Sequence, residues 1–180
     1  MSLTPPTLIV IGGFAGSGKS TLARRLGRHL SILPYEKDAI AKTIRESPHF
    51  SGNVGGLAFD LFFSIARQAL NNNCSLILDQ NMGYTLTWRS LTQFQQEVGQ
   101  DKVKIFLLNC PFELCLSRFA ARTGHPDIGR VTLDDLQQHK FKWDYLQENE
   151  LPQAIRIDAT QSQDAVFAAV LRHLSPRIDQ

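Results

Sequence analysis

Five short apolar runs recur along the chain, separated by longer segments in which apolar residues return every three or four positions. The runs predict strands over 8–11, 31–35, 75–78, 103–108 and 154–157. The first run contains no polar residue, which is typical of a strand that is buried on both faces of its sheet. Strands that alternate with helices at this spacing predict a parallel sheet covered on both sides, a three-layer α/β/α domain.

The segments between the runs predict amphipathic helices. Asp38 stands where the N-cap of the second helix is expected, and 49–56 is rich in Gly, Pro, Ser and Asn and predicts a loop. Thr132, followed three residues later by Asp135, resembles a capping box and predicts another helix start. A long and well-buried helix is predicted after the loop from apolar residues at four-residue steps: Leu57, Leu61, Ile65 and Ala69.

The composition is that of an ordinary globular protein. The 180 residues are 43% hydrophobic and 20% charged, which predicts a single domain over 1–180. Lys and Arg number 19 against 17 Asp and Glu, and this net charge of +2 favours neither nucleic acid nor an anionic membrane as a partner. No apolar stretch approaches the roughly 20 residues of a membrane span, and the first residues lack the basic segment of a secretory signal. We therefore expect a cytoplasmic protein.

The three cysteines, Cys74, Cys110 and Cys115, are odd in number and lack the spacing of a metal site. In the reducing conditions of a cytosol, cysteines are typically small members of a hydrophobic core. We interpret each of them as a core residue rather than as part of a disulfide or a ligand set.

The segment 13–20 reads GFAGSGKS and fits the phosphate-loop pattern G-x-x-x-x-G-K-[ST]. It lies between the first apolar run and an amphipathic segment, so that backbone N–H groups and a helix N-terminus can face a phosphate. Lys19 supplies a charge for the β- and γ-phosphates, and Ser20 supplies a hydroxyl for Mg²⁺. The alternative, a glycine-rich turn with a chance lysine, is disfavoured because motif and context agree independently. The predicted nucleoside triphosphate site comprises Gly13, Ala15, Gly16, Ser17, Gly18, Lys19, Ser20 and Thr21.

Two acidic residues follow predicted strands at the edge where open α/β sheets bind ligands. Asp79 ends the third strand and is a candidate Mg²⁺ ligand together with Ser20, with a simple turn aspartate as the alternative. Asp38 follows the second strand and is a candidate base for an acceptor hydroxyl that attacks the γ-phosphoryl group. The alternative is that Asp38 only caps its helix, and one carboxylate could serve both purposes.

Three arginines flank a segment that contains Gly and Pro. Arg118 and Arg122 are four residues apart, which predicts that they share one helix face, and Arg130 follows the segment. A lid over about 118–136 could close over the nucleotide, exclude water and bring positive charge to the transferring phosphoryl group. The alternative is that all three are solvated surface residues.

Together these features give the chain a resemblance to the P-loop kinase group, small AAA-type ATP-binding kinases related to polynucleotide 5′-kinases, zeta toxins and chloramphenicol phosphotransferase. The resemblance covers nearly the whole chain and implies a five-stranded parallel sheet in the order 2-3-1-4-5, a helical lid, and ATP with Mg²⁺ as the phosphoryl donor. The segments that carry it are GGFAGSGKST (12–21), YEKDAIAKTI (35–44), SLILDQN (75–81), NCPFELCLSRFAARTGHPD (109–127) and QAIRIDAT (153–160).

The resemblance also implies roles for individual residues. Asp38 matches the acid that activates the acceptor hydroxyl, and Asp79 matches the acid that ends the third strand. Arg118 and Arg122 match lid arginines, and the loop that begins near Thr160 matches the segment that borders the adenine.

The acceptor is the least determined part of the hypothesis. Polynucleotide kinases often carry an arginine three residues after the acid matched by Asp38, whereas this chain has Ala41. We therefore favour a kinase that phosphorylates a hydroxyl of a small molecule, with a polynucleotide 5′-hydroxyl kinase and a nucleotide-binding switch or ATPase as the alternatives. Nothing in the sequence indicates an oligomeric state. The residues that could line an acceptor cleft, unless they are core, are Phe50, Asn53, Phe59 and Phe63.

Overall fold

Five parallel strands form one sheet with helices packed on both of its faces. The computed structural model describes residues 3, 5–81, 85–121, 132–149 and 153–174. The strands are β1 (Leu8–Gly13), β2 (Pro34–Glu36), β3 (Leu76–Asn81), β4 (Val103–Asn109) and β5 (Ile155–Asp158). The helices are α1 (Lys19–Leu30), α2 (Lys37–Glu46), α3 (Val54–Asn71), α4 (Thr85–Val98), α5 (Phe112–Ala120), α6 (Leu133–Asn149) and α7 (Gln163–Leu174), and a short 3₁₀ helix spans Gln100–Lys102.

The strand order across the sheet is β2-β3-β1-β4-β5, which confirms the predicted order. Every neighbouring pair is parallel, so the carboxyl ends of all five strands meet at one edge. At that edge Gly13 of β1 pairs with Asn81 of β3, and Glu36 of β2 pairs with Asp79 of β3. The phosphate loop and the segments carrying both candidate acids therefore emerge side by side.

The side chains of β1 alternate between two separate hydrophobic cores. Leu8 and Val10 belong to the core shared with α3, α4, α5 and α6, whereas Ile9 and Ile11 belong to the core shared with α1 and α7. All four side chains are fully buried, as expected for a central strand of a doubly covered sheet. The predicted three-layer α/β/α architecture is confirmed.

The buried face of α3 differs from the predicted one by a single position. Leu61 and Ile65 remain 40% and 42% exposed, whereas the buried residues of this helix are Ala58, Phe62, Phe63, Ala66 and Leu70. The prediction was wrong because two apolar stripes run along this helix at four-residue spacing. The stripe that contains Phe62 carries the larger side chain, and burying it removes more apolar surface from water, which favours packing of this stripe against the sheet.

The start of α2 also lies elsewhere than predicted. The second strand begins at Pro34 rather than at Ser31, because Ser31 adopts a left-handed conformation (φ 57°) that ends α1. The helix α2 then begins at Lys37, with Glu36 at its N-cap position and Asp38 within its first turn. The prediction that Asp38 is the N-cap is therefore wrong. An acidic residue in the first turn still interacts favourably with the positive end of the helix dipole.

Other local predictions had mixed outcomes. The capping box at α6 is confirmed, since Thr132 N–H donates to Asp135 Oδ2 at 2.8 Å and Asp135 N–H donates to Thr132 Oγ1 at 3.1 Å. Cys115 is buried and Cys110 is partly buried, but Cys74 is exposed, so the prediction of a core residue was wrong for Cys74.

Among the helices that the structure describes, none is long and apolar enough to cross a membrane.

Candidate functional site

The loop between β1 and α1 adopts a conformation that only glycine allows at two positions. Gly16 and Gly18 have φ angles of +88° and +99°. A Cβ at Gly16 would lie 2.0 Å from the carbonyl oxygen of Cys115, so the loop packs directly on the first turns of α5. A Cβ at Gly18 would meet nothing within 4 Å, so the space beside this residue is open. Gly18 is the N-cap residue of α1, and the N–H groups at a helix N-terminus attract an anion.

Lys19 is the first residue of α1 and is only 8% exposed. Its ammonium group donates to the carbonyl oxygen of Phe14 at 3.3 Å, which holds the side chain back along the loop. At the other end of the loop, a Cβ at Gly13 would lie 2.4 Å from the hydroxyl of Ser17. The loop therefore has no room for a side chain at Gly13. The ammonium group of Lys19 stays against the backbone of the same loop.

Asp79 lies within β3, beside the loop, and is 8% exposed. The prediction that Asp79 ends the third strand is wrong, because β3 continues for two more residues to Asn81 alongside the end of β1. Burial raises the pKa of Asp79, and the negative charges of Asp38 and Glu36 raise it further, whereas Lys19 and a hydrogen bond from Ser20 lower it. Its Oδ1 atom has no hydrogen-bond partner among the described residues, and neither does the buried hydroxyl of Ser17. A buried carboxylate oxygen without a partner is costly unless a cation or a donor satisfies it.

These observations fit a bound triphosphate with Mg²⁺. The open loop, the ammonium of Lys19 and the buried Ser17 hydroxyl suit phosphate oxygens, while Ser20 and Asp79 offer hard oxygen ligands of the kind that Mg²⁺ prefers. Within the described part of the chain, no group of three His, Cys, Asp or Glu side chains could hold a metal by itself. A Mg²⁺ ion here would therefore need the phosphates themselves as further ligands, which is how this ion is usually bound in such sites.

The raised pKa of Asp79 leads to a prediction about stability. The native state binds a proton more tightly than the unfolded chain does, so Asp79 costs stability as pH rises from the pKa of the unfolded carboxyl towards that of the folded one. We expect Asp79→Asn to raise the Tm of the ligand-free protein at pH 7, by about 2–4 °C for each kcal/mol relieved. The gain should shrink as pH falls towards 4, and thermal unfolding across this range measures it.

Asp60 provides a matched control because it is an exposed aspartate on α3. Asp60→Asn should change stability by no more than about 0.5 kcal/mol at any pH in the range. A lower Tm for Asp79→Asn at pH 7, or a gain that does not depend on pH, would contradict the assignment of Asp79 as a strained buried acid.

Asp38 is exposed, and it makes no hydrogen bond or ion pair with the other described residues. It lies two residues after Glu36, which pairs with Asp79 across the sheet, and its charge raises the pKa of Asp79. The neighbouring Glu36 is held by Arg24 through two hydrogen bonds of 2.8 and 2.6 Å. This pair joins α1 to the junction between β2 and α2, so the segment that carries Asp38 is fixed relative to the helix that follows the phosphate loop.

A cavity of about 280 Å³ opens on the other side of the loop. Arg118 lines this cavity, and its Nη1 atom donates to the carbonyl oxygen of Ala159 at 2.9 Å. The segment after β5 also lines it, as does Thr21. The structure therefore brings Arg118 and the segment around Thr160 next to the phosphate loop, on the side away from Asp38. The full lining is Gly16, Ser17, Gly18, Thr21, Leu22, Arg25, Leu108, Arg118, Ala159, Gln161, Gln163 and Val166.

Three polar residues of this lining were not among the predicted site residues. Gln161 and Gln163 follow β5, and Arg25 lies on α1, where it contacts Asp164 at 2.7 Å and the ring of Phe167 at 4.2 Å. The signal for Arg25 was available, because Thr21, Leu22 and Arg25 lie three, four and seven residues after Gly18, which places all of them on one helix face. The two glutamines had no such pattern, since they lie in and just beyond a loop.

The remaining predicted residues either lie outside the described part of the chain or serve the fold. Arg122 and Arg130 lie outside the described residues, as does most of the predicted lid over 118–136. Asn53 is the N-cap of α3 and accepts a hydrogen bond from Gly56 N–H at 3.0 Å, so it serves the helix rather than a cleft. Phe63 is buried and stacks against its aromatic neighbours, which favours the alternative that it is core.

Known proteins share this architecture. A sequence profile of the AAA domain family matches residues 8–144. A sugar kinase from Janibacter sp. HTCC2649 superposes with a TM-score of 0.69 at 19% identity, covering 98% of this chain and 99% of that chain. A gluconokinase from Sinorhizobium meliloti 1021 gives 0.61 at 16% identity, with 94% of both chains covered. The tunicamycin resistance protein of Deinococcus radiodurans gives 0.65 at 21% identity, covering 94% of this chain and 97% of that chain.

No curated protein matches the chain significantly by sequence. The structural likenesses are at low identity and therefore establish the fold alone. The family profile, however, spans well over half of the 180 residues. The chain belongs to the AAA domain family, and its fold is that of the P-loop kinases.

Proposed function

We propose that this protein is an ATP-dependent kinase that transfers the γ-phosphoryl group to a hydroxyl of a small molecule. One observation carries the proposal: an open phosphate loop lies beside a buried carboxylate oxygen that has no partner among the described residues. In a turn with only a structural role, a buried carboxylate oxygen without a partner would destabilise the fold. In a loop that binds a nucleotide with a cation, the open loop would hold the phosphates and the carboxylate would hold the cation.

The donor would bind across the loop. The N–H groups of the loop and the first turn of α1 would hold the phosphates, with Lys19 at the β- and γ-phosphates. The residues of this subsite would be Gly13, Ala15, Gly16, Ser17, Gly18, Lys19, Ser20 and Thr21. Ser20 and Asp79 would hold Mg²⁺, which supplies Lewis-acid stabilisation of the charge that develops on the phosphoryl oxygens.

The nucleoside would enter the cavity that contains Arg118. Its volume of about 280 Å³ and its mixed lining of aliphatic, glutamine and arginine side chains suit a planar polar base. The guanidinium of Arg118 is already anchored on Ala159, so little side-chain freedom would be lost on binding. Arg118, and Arg122 with it, would also balance the charge of the transferring group.

The acceptor would bind on the opposite side, near Asp38. Asp38 is exposed, it has no competing hydrogen bond among the described residues and its charge raises the pKa of Asp79, so its carboxylate is free to accept the proton of an incoming hydroxyl. A small acceptor is favoured by the net charge of +2 and by Ala41, which offers no positive group for a phosphate of a nucleic acid. The fold shared with a sugar kinase and a gluconokinase supports a hydroxyl-rich metabolite as the first class to test.

The proposal is tested by measuring ATP consumption with Mg²⁺ in the presence of sugars, sugar acids, nucleosides, antibiotics and oligonucleotides. We expect one small acceptor class to stimulate ADP formation and to gain one phosphoryl group, detected by mass spectrometry. Stimulation by oligonucleotides alone, with binding that weakens steeply with salt, would indicate a nucleic-acid kinase instead. An ATP-dependent change of shape without turnover stimulated by any acceptor would indicate a nucleotide switch.

A further inference from the structure

Two cysteines meet at the point where β4 leads into α5. Cys110 precedes the N-cap residue Pro111, and Cys115 is the fourth residue of the helix. These are the two positions whose side chains contact each other in the hydrophobic staple of a helix start. The Sγ atom of Cys115 lies 3.8 Å from the carbonyl oxygen of Cys110. The fold therefore brings two thiols together that sequence spacing alone gave no reason to pair.

The two thiols have different environments. Cys110 is partly exposed, and Arg118 Nη1 donates to its sulfur at 3.6 Å. Cys115 is fully buried, and burial raises the pKa of its thiol to about 12, with a hydrogen bond to the side chain of Cys110 acting in the same direction. Because its thiol keeps its proton, Cys115 is the less reactive of the two, and the partly exposed Cys110 beside the Arg118 cation is the one that meets an oxidant first. Cys115 then lies next to an oxidised Cys110, in the place of a resolving thiol.

Cys115 packs against the phosphate loop, and Cys110 is linked through Arg118 to the cavity beside that loop. The Cys115 carbonyl oxygen packs so closely on Gly16 that a single added carbon would collide with it at 2.0 Å. The same guanidinium atom that donates to Cys110 also donates to Ala159, and Arg118 lines the cavity beside the loop. A change at either sulfur is therefore transmitted to the loop through α5 or to the cavity through Arg118.

We propose that Cys110 and Cys115 form an intramolecular disulfide on exposure to a peroxide, and that this disulfide weakens nucleotide binding. The bond draws the Cys110 sulfur towards Cys115 and away from Arg118, which loses one of its two anchors. It also constrains the first turns of α5, against which Gly16 packs. The link to ATP rests on the proposed function, whereas formation of the disulfide does not.

The chemistry needs only the two thiols and hydrogen peroxide. The Cys110 sulfur attacks one peroxide oxygen, so that an S–O bond forms, the O–O bond breaks, and the leaving hydroxide takes the thiol proton to give water. The Cys115 sulfur then attacks the resulting sulfenic acid, forming the S–S bond and releasing hydroxide, which takes the second thiol proton. The two sulfurs together lose two electrons to the peroxide, and a dithiol reductant restores them.

The experiment uses the full chain carrying Cys74→Ser, because Cys74 is exposed and could otherwise form bonds between molecules. After treatment with peroxide and alkylation without reductant, trypsin releases a peptide over 105–118 that contains both remaining cysteines. We expect this peptide to be unalkylated and lighter by two hydrogens. The oxidised protein should bind ATP with Mg²⁺ about fivefold more weakly or worse than the reduced protein, and reduction should restore the affinity.

Two further variants separate the disulfide from general oxidative damage. Cys110→Ser and Cys115→Ala, each in the Cys74→Ser background, should keep the same ATP affinity before and after peroxide. Alkylation of both cysteines after peroxide overturns the proposal, and so does an equal ATP affinity of the oxidised and reduced forms. Reduced protein that does not bind ATP contradicts the proposed function instead, and the peptide mass still decides whether the disulfide forms.

Discussion

Lys19→Ala is expected to weaken ATP binding by about 10- to 150-fold while the fold is retained, because a charged hydrogen bond contributes about 1.5–3 kcal/mol. Lys19 begins α1 and its ammonium group is held against the loop by the carbonyl oxygen of Phe14, where it would meet the phosphates of the proposed nucleotide. At an ATP concentration of 100 times the wild-type Kd, stabilisation should fall from about 2.7 kcal/mol to about 0.3–1.4 kcal/mol. Thermal unfolding with and without ATP and Mg²⁺ measures this difference.

Lys104→Ala is a suitable control for this experiment. Lys104 lies near the start of β4, at the sheet edge opposite the phosphate loop, and its ammonium group donates to the carbonyl oxygen of His173 at 2.9 Å. Its removal tests loss of a lysine and of one hydrogen bond without touching the site. If ATP stabilises Lys19→Ala as strongly as it stabilises Lys104→Ala, the loop does not bind phosphates through this lysine, and the kinase proposal loses its basis.

The core architecture was predictable because it depends on redundant signals. The parallel sheet and the position of the phosphate loop followed from apolar runs and glycines, and the order of the strands followed from a resemblance that extends over several segments. Asp79 was found because an acid near the carboxyl end of a buried strand in a parallel sheet lies towards the ligand-binding edge, although the strand continues for two residues beyond it. Each of these conclusions would survive an error of one or two residues in an element boundary.

The predictions that failed depend on competition between local alternatives. On α3 both possible stripes are apolar, and packing against β3 and α4 rather than periodicity decides that Phe62 is buried and Leu61 is not. At α2, Arg24 engages the side chain of Glu36 through both oxygens, and the helix begins one residue after Glu36, not at Asp38. Contacts between residues distant in sequence determine the buried face of α3 and the first residue of α2, so the local sequence pattern could not predict either.

The pairing of Cys110 with Cys115 and the role of Arg25 were missed for related reasons. Residues five apart on a regular helix do not contact each other. Cys110 and Cys115 do so only because α5 begins between them, so that Cys110 lies outside the helix. Arg25 lines the cavity because Asp164 and Phe167 of α7 hold its side chain there. The phosphate loop can therefore be predicted from the sequence, whereas the residues packed around the loop are positioned by tertiary contacts.

Asp38→Asn is expected to leave ATP binding unchanged and to lower acceptor-dependent phosphoryl transfer by about 10²- to 10⁴-fold, the usual contribution of a general base. Asparagine keeps the size and polarity of the side chain but cannot accept the proton of the attacking hydroxyl. The two measurements are turnover with the acceptor identified by screening and the shift in Tm caused by ATP and Mg²⁺. Asp60→Asn, on an exposed face of α3, should change neither.

The same variant separates catalysis from a structural role of Asp38. A carboxylate in the first turn of α2 interacts with the helix dipole, and its loss alone would cost about 0.3–1 kcal/mol of stability with normal turnover. A base at this position predicts the reverse, a large loss of turnover with a small change in Tm. Asp38 is exposed and its carboxylate is not engaged by the described residues. Its contribution to the free energy of unfolding should therefore come only from the dipole of its own helix. An active Asp38→Asn enzyme would therefore reduce this residue to a helix-end charge and require another base beside Asp79.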